Sequence, residues 1–190
     1  VYKRQEYQRI VDVYPDIHAL AGSPLGRVRK TIWTLGLLHR AVYLKQAATY
    51  ISNKFGGRLP EEVDKLKQIP GVGNYLANAV SLFAYGRRVF PIDVNVVRVM
   101  TRVFGLKSTK RRPHTDNRFP YFLLGMVPEG SERDFTYAIL DFASKVCVDN
   151  RQKPRCHACP MIDLCDWCTA KPLNRHDPDS AGSERPGRQP

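Results

Sequence analysis

Apolar positions recur every three or four residues along most of this chain, the spacing that lines one face of an α-helix. Tyr7, Ile10 and Val11 mark such a face over Glu6 to Val13, which reads as the continuation of a helix begun further upstream. Ser23-Pro24 reads as an N-cap followed by proline at the first helical position, opening a helix that includes Val28, Ile32 and Trp33. Leu38 to Phe55 predicts a longer amphipathic helix, stopped by Gly56-Gly57. Pro60-Glu61-Glu62 begins a short one, with acids placed where a helix N-terminus favours them. Further helices are expected over Asn74–Tyr85, Val94–Val103, Thr115–Met126 and Ser131–Val146. One run breaks the period: Val89-Phe90-Pro91-Ile92 is continuously apolar and strand-like. The pattern as a whole predicts an all-α fold.

Between two of these helices lies Ile69-Pro70-Gly71-Val72-Gly73. Pro70 fixes φ near a turn value, and Gly71 and Gly73 allow backbone conformations closed to other residues. The peptide groups of Gly71, Val72, Gly73 and Asn74 can then face a phosphate at the N-terminus of the next helix. An ordinary glycine turn between packed helices, or a non-catalytic DNA-binding hairpin, would read the same way. Asp93 follows eighteen positions after Tyr75, at the junction between the strand-like run and the helix from Val94. A carboxylate there serves as an N-cap. It can also face a bound substrate, and the two roles are compatible.

Composition narrows the partner. The 190 residues carry a net charge of +12, distributed as +7 over residues 1–60, +4 over 61–110, −1 over 111–150 and +2 over 151–190. The excess lies before Asp93 and around the hairpin, which suits a polyanion. No apolar run approaches the roughly 20 residues that span a bilayer, so no membrane partner is expected. The chain opens without Met, inside what reads as a helix, so sequence upstream of Val1 is expected. Residues 171–190, rich in Pro, Gly, Ser and charge, read as a disordered tail.

All five cysteines fall between Cys147 and Cys168. Such clustering argues against a distributed disulfide framework and for a metal or cluster site in a reducing, intracellular compartment. Cys147, Cys156, Cys159 and Cys165 form C-x8-C-x2-C-x5-C. Four thiolates suit an iron–sulfur cluster or zinc. Cys168 fits no position in that spacing and reads as a bystander. Arg151, Lys153 and Arg155 lie in the long first gap, where they could meet phosphates or remain solvated.

The hairpin, Asp93 and the cysteine spacing together resemble the helix–hairpin–helix DNA glycosylases, the superfamily of endonuclease III and the MutY-type adenine glycosylases. The resemblance covers roughly residues 6–170. It implies two helical lobes around a DNA-binding cleft: a central lobe over 14–112, and a second over 113–170 that carries the cluster loop and packs with an N-terminal helix fragment, 1–13. It also implies Asp93 as the catalytic aspartate, double-stranded DNA as partner, a monomer, and a [4Fe-4S] cluster on the four cysteines. The family's first cysteine gap is usually six residues, against eight here. Leu37, in Leu35-Gly36-Leu37-Leu38, matches the family's apolar wedge; a buried core leucine is the other reading. Tyr75 stands where endonuclease III-like enzymes carry the lysine that attacks the sugar, which implies a monofunctional enzyme without efficient lyase activity. Tyr75 and the stretch from Val127-Pro128-Glu129-Gly130 to Cys147 look closest to the thymine mismatch branch, which removes thymine or uracil opposite guanine. Adenine removal opposite 8-oxoguanine and a truncated, non-catalytic DNA-binding remnant are the alternatives.

Overall fold

The computed structural model describes residues 2–36, 38–149 and 154–170. Leu37, Arg151, Lys153 and the tail from residue 171 lie outside the described residues. Every regular element described is helical. In chain order these are α1 (Tyr2–Val13), α2 (Ile17–Gly22), α3 (Leu25–Thr31), α4 (Arg40–Phe55) and α5 (Val63–Leu66). There follow α6 (Asn74–Tyr85), α7 (Val94–Phe104), α8 (Arg118–Met126), α9 (Glu132–Lys145) and α10 (Asp166–Ala170). Single 3-10 turns occur at Trp33–Leu35, Pro113–Thr115, Cys156–Ala158 and Ile162–Leu164.

Three buried clusters hold these helices. Tyr14, Val28, Ile32 and Ala41 form the first, with Ile10 and Val13 of α1 packed on it. The second joins Ile51 of α4, Leu66 of α5, Ile69 of the hairpin and Ala77 of α6. The largest unites Phe90 and Ile92 with α7, α8 and α9 and includes Cys147 and Cys165.

This packing departs from the expected lobes in two places. Helix α1 lies against α3 and the Trp33–Leu35 turn rather than against the later helices. Arg9 fixes it there, donating to Thr31 O, to Glu6 Oε2 at 2.6 Å and to Thr34 Oγ1 at 2.9 Å. Helix α7, assigned from sequence to the central lobe, shares its core with α8 and α9.

Local differences have plain causes. The Val89–Ile92 run is not a strand: Pro91 offers no N–H to a ladder, and Phe90 and Ile92 are instead buried among helices. Ser23 does not cap α3. It ends α2, its own N–H donating to Leu20 O, while Pro24 occupies the cap of α3. Trp33 falls beyond the end of α3. Helix α2 carried no clear periodicity. It is held along α4 by Lys45, whose Nζ donates to Ala21 O at 2.8 Å and Ser23 O at 2.6 Å, the open carbonyls of its last turn.

Candidate active site

The hairpin after α5 delivers the start of α6. Val72 N–H closes the turn on Ile69 O at 3.0 Å. Gly71 has φ +80°, and a Cβ there would lie 2.9 Å from Tyr43 Cβ, so both conformation and space call for glycine. Gly73 differs from expectation: its φ of −93° and ψ of 179° are open to any residue. A Cβ at Gly73 would meet nothing within 4 Å. What Gly73 leaves open is therefore space, not conformation. No side chain caps α6, so its first N–H groups are available to an anion approaching from outside.

Asp93 caps α7. Its Oδ1 accepts from Asn95 N and Val96 N, both at 2.8 Å, and its Oδ2 accepts from Asn95 Nδ2 at 2.7 Å. Three donors thus fix a half-buried carboxylate at the junction. Tyr75, partly exposed in the first turn of α6, has its phenol held above the ordinary value, chiefly by burial and then by the negative charge of Asp93. The starts of α6 and α7 therefore face one electrostatic environment. Behind Asp93 stands Arg98. Its Nη1 donates to Asn95 Oδ1 at 3.0 Å, its Nε to Cys147 O at 2.9 Å and its Nη2 to Ala143 O at 2.9 Å. A continuous set of hydrogen bonds runs from Asp93 through Asn95 and Arg98 to the C-terminal end of α9.

The cysteines meet just beyond that point. Cys147, Cys156, Cys159 and Cys165 line one small cavity with Val103, Phe142, Val146 and Trp167. Arg102 also reaches it, buried and stacked 5.2 Å from the Trp167 ring centre. Arg102 Nη1 donates to Val148 O at 2.7 Å and to Cys147 Sγ at 3.4 Å. Burial, then the neighbouring cysteines, push the Cys159 thiol up, opposed by a backbone hydrogen bond. Cys168 is not a bystander. It lines the same cavity, its thiol hydrogen-bonded to those of Cys156 and Cys165 and pushed up to about 12, first by burial.

The donor set fits a thiolate-bound group: four soft ligands, an apolar wall and one cation. Among the described residues no three His, Cys, Asp or Glu side chains are grouped to hold a single metal ion. The free volume, about 20 Å³, is near that of one water probe, so seating a larger group spreads the thiols from these positions.

Of the sequence-derived site residues, the structure brings Asp93 towards Tyr75, sets Gly71, Val72, Gly73 and Asn74 at the head of α6, and gathers the four cysteines. Arg155 is exposed at the cavity's edge. Sequence reasoning missed Asn95, Arg98, Arg102 and Cys168. Asn95 lies next to the cap and was within reach of a local argument; Arg98 and Arg102 are defined by partners 45 to 49 residues away.

Residues 4–121 match the pattern of the HhH-GPD superfamily base excision DNA repair proteins. The chain belongs to that superfamily. It is 40% identical over 162 residues to the thymine-DNA glycosylase of Aeropyrum pernix, spanning 84% of this chain and 72% of that one. With the thymine/uracil-DNA glycosylase of Pyrobaculum aerophilum it shares 39% identity over 160 residues, 83% of this chain and 69% of the relative. The solved structure of a thermostable thymine-DNA glycosylase superposes with a TM-score of 0.80 at 30% identity, covering 87% of this chain and 76% of its own. Superfamily membership, the glycine hairpin and the helical fold agree.

Proposed function

We propose that this chain is a monofunctional DNA N-glycosylase that hydrolyses the bond between deoxyribose and a thymine or uracil mispaired with guanine. The observation that carries the reading is Asp93, fixed by three donors within electrostatic reach of Tyr75, in a chain similar to thymine and thymine/uracil glycosylases. The base must leave the helix stack, which costs a few kcal/mol. Open amides at the head of α6 suit a backbone phosphate and would hold the strand while the nucleotide turns out. Cleavage breaks the C1′–N bond and builds positive charge on the sugar. The Asp93 carboxylate stabilises that charge and orients a water whose oxygen bonds to C1′. One proton leaves that water, and the departing base anion takes one up.

Tyr75 offers no amine, so no Schiff base forms with the sugar and the product is an abasic site. Its phenol stays protonated near neutrality and can donate a hydrogen bond in the base pocket. Leu37 would fill the space left by the base, and Arg151, Lys153 and Arg155 would meet phosphates. Cys147, Cys156, Cys159 and Cys165 would hold a [4Fe-4S] cluster; when bound, it supplies a cross-link that fixes the cysteine loop. Through Arg98, that loop positions Asn95 and Asp93. The enzyme acts as a monomer.

The test is a panel of duplexes carrying G·T, G·U, A·8-oxoguanine or hypoxanthine. The purified protein releases base from the first two, breaks the strand only after alkali treatment, and yields no borohydride-trapped adduct. Adenine release in place of thymine overturns the substrate; a trapped adduct overturns the monofunctional reading.

A further inference from the structure

We propose that Cys168 is a reserve ligand of the four-thiol site, able to take the iron position of Cys156 or Cys165 when either is lost. The inference rests on the cluster reading above. Its ground is placement. Cys168 lines the same cavity as the other four cysteines, and its thiol is hydrogen-bonded to those of Cys156 and Cys165. The backbone explains why. Cys168 N–H donates to Cys165 O at 2.9 Å in the first turn of α10, so the chain turns back and returns the side chain towards the cavity.

The contacts are selective. Cys147 has its sulfur met by Arg102 Nη1 at 3.4 Å instead, and the cysteines acting on Cys159 are Cys165, Cys147 and Cys156. Replacement is therefore confined to two of the four positions. The exchange needs no oxidant. One iron–sulfur bond forms at Cys168 and one breaks at the departing thiolate, and the Cys168 proton passes to the sulfur with which it already shares a hydrogen bond. In a serine variant of the departing ligand the proton goes to solvent. A thiol held beside two ligand sulfurs needs only a side-chain rotation to reach either iron, and thiolates are the ligands that clusters accept most readily.

Iron and acid-labile sulfide per chain, read with the brown visible absorbance, test this in Cys156→Ser and Cys165→Ser, each alone and combined with Cys168→Ser. At least one single variant is expected to keep about half or more of the wild-type iron, a level set by replacement of one thiolate among four. The corresponding double variant loses it, as do Cys147→Ser and Cys159→Ser alone. In the iron-bearing single variant, Cys168 becomes protected from iodoacetamide until the iron is chelated, as peptide mapping reads directly. Wild-type protein with iron but neither single variant with any overturns the reserve role alone. So does a double variant that keeps its iron. Wild-type protein that binds zinc and no sulfide removes the cluster reading, and this one with it.

Discussion

Asp93 accepts the N–H groups of Asn95 and Val96 at the head of α7 while its charge reaches the Tyr75 phenol, so its substitutions separate two roles. Asparagine caps a helix about as well as aspartate. Asp93→Asn should therefore leave urea stability within about 0.5 kcal/mol of wild type while slowing thymine release at least about a hundredfold, the scale of losing one preorganised electrostatic group. Asp93→Ala should lose both, with a stability drop of about 1 kcal/mol. Single-turnover kinetics on a G·T duplex beside urea titrations reads the difference, and base release by Asp93→Asn at the wild-type rate would refute the catalytic role. At this scale the sequence was legible where chemistry is local. Asp93 and Tyr75 stand at a recognisable interval, and the cysteines at recognisable spacings. Arg98 and Arg102 look like any other basic residue on a helix. Their meaning comes from the carbonyls of Ala143, Cys147 and Val148, and only the folded chain brings those near.

Helix α6 and its hairpin show how one turn divides labour between two glycines. Gly71 sits at φ +80° with Tyr43 against it, whereas Gly73 has an ordinary backbone and open space where a side chain would stand. Gly71→Ala should destabilise the protein by about 1–2 kcal/mol, the penalty for an L-residue in the left-handed region, with Tyr43 forced aside in addition. Gly73→Ala should change stability by less than about 0.5 kcal/mol yet weaken duplex binding several-fold, because its methyl group stands where a phosphate would approach. Urea melts and duplex titrations at one salt concentration check both. If Gly73→Ala binds as wild type, the hairpin is not the phosphate site. Helix boundaries were legible here because α6 begins at Asn74 and ends before Gly86 as the periodicity requires. Helix α2 was not. Its six residues are too few for an apolar face to declare itself, and its stability comes from Lys45 and α4.

Across the whole molecule, α7 is the common member. Its first turn takes the Asp93 cap, its middle reaches the cysteine loop through Arg98 and Arg102, and its buried side shares one core with α8 and α9. The link from α7 to α8 must therefore hold, and Asp116 anchors it. This carboxylate is 6% exposed and accepts from Ser108 Oγ at 2.6 Å and Arg118 Nη2 at 2.8 Å. Arg118 Nε adds a bond at 3.1 Å, and Arg118 N one at 3.2 Å. The Arg118 guanidinium first, then the Ser108 hydroxyl, hold the Asp116 carboxyl well below the usual carboxylate range. A carboxyl depressed in the folded state binds its proton more readily when unfolded. Its contribution is thus present in full above the unfolded value of about 3.9 and is lost as pH falls towards the folded one. Arg118 is half exposed, so solvent screens part of the effect. Asp116→Asn should accordingly be less stable than wild type at neutral pH, with the gap narrowing as pH falls below about 4. Urea midpoints measured from pH 7 down to acid for both proteins provide the check. Parallel curves across that window would mean that the Ser108–Asp116–Arg118 pairing does not hold the link, and that the packing of α7 against α8 and α9 suffices without it.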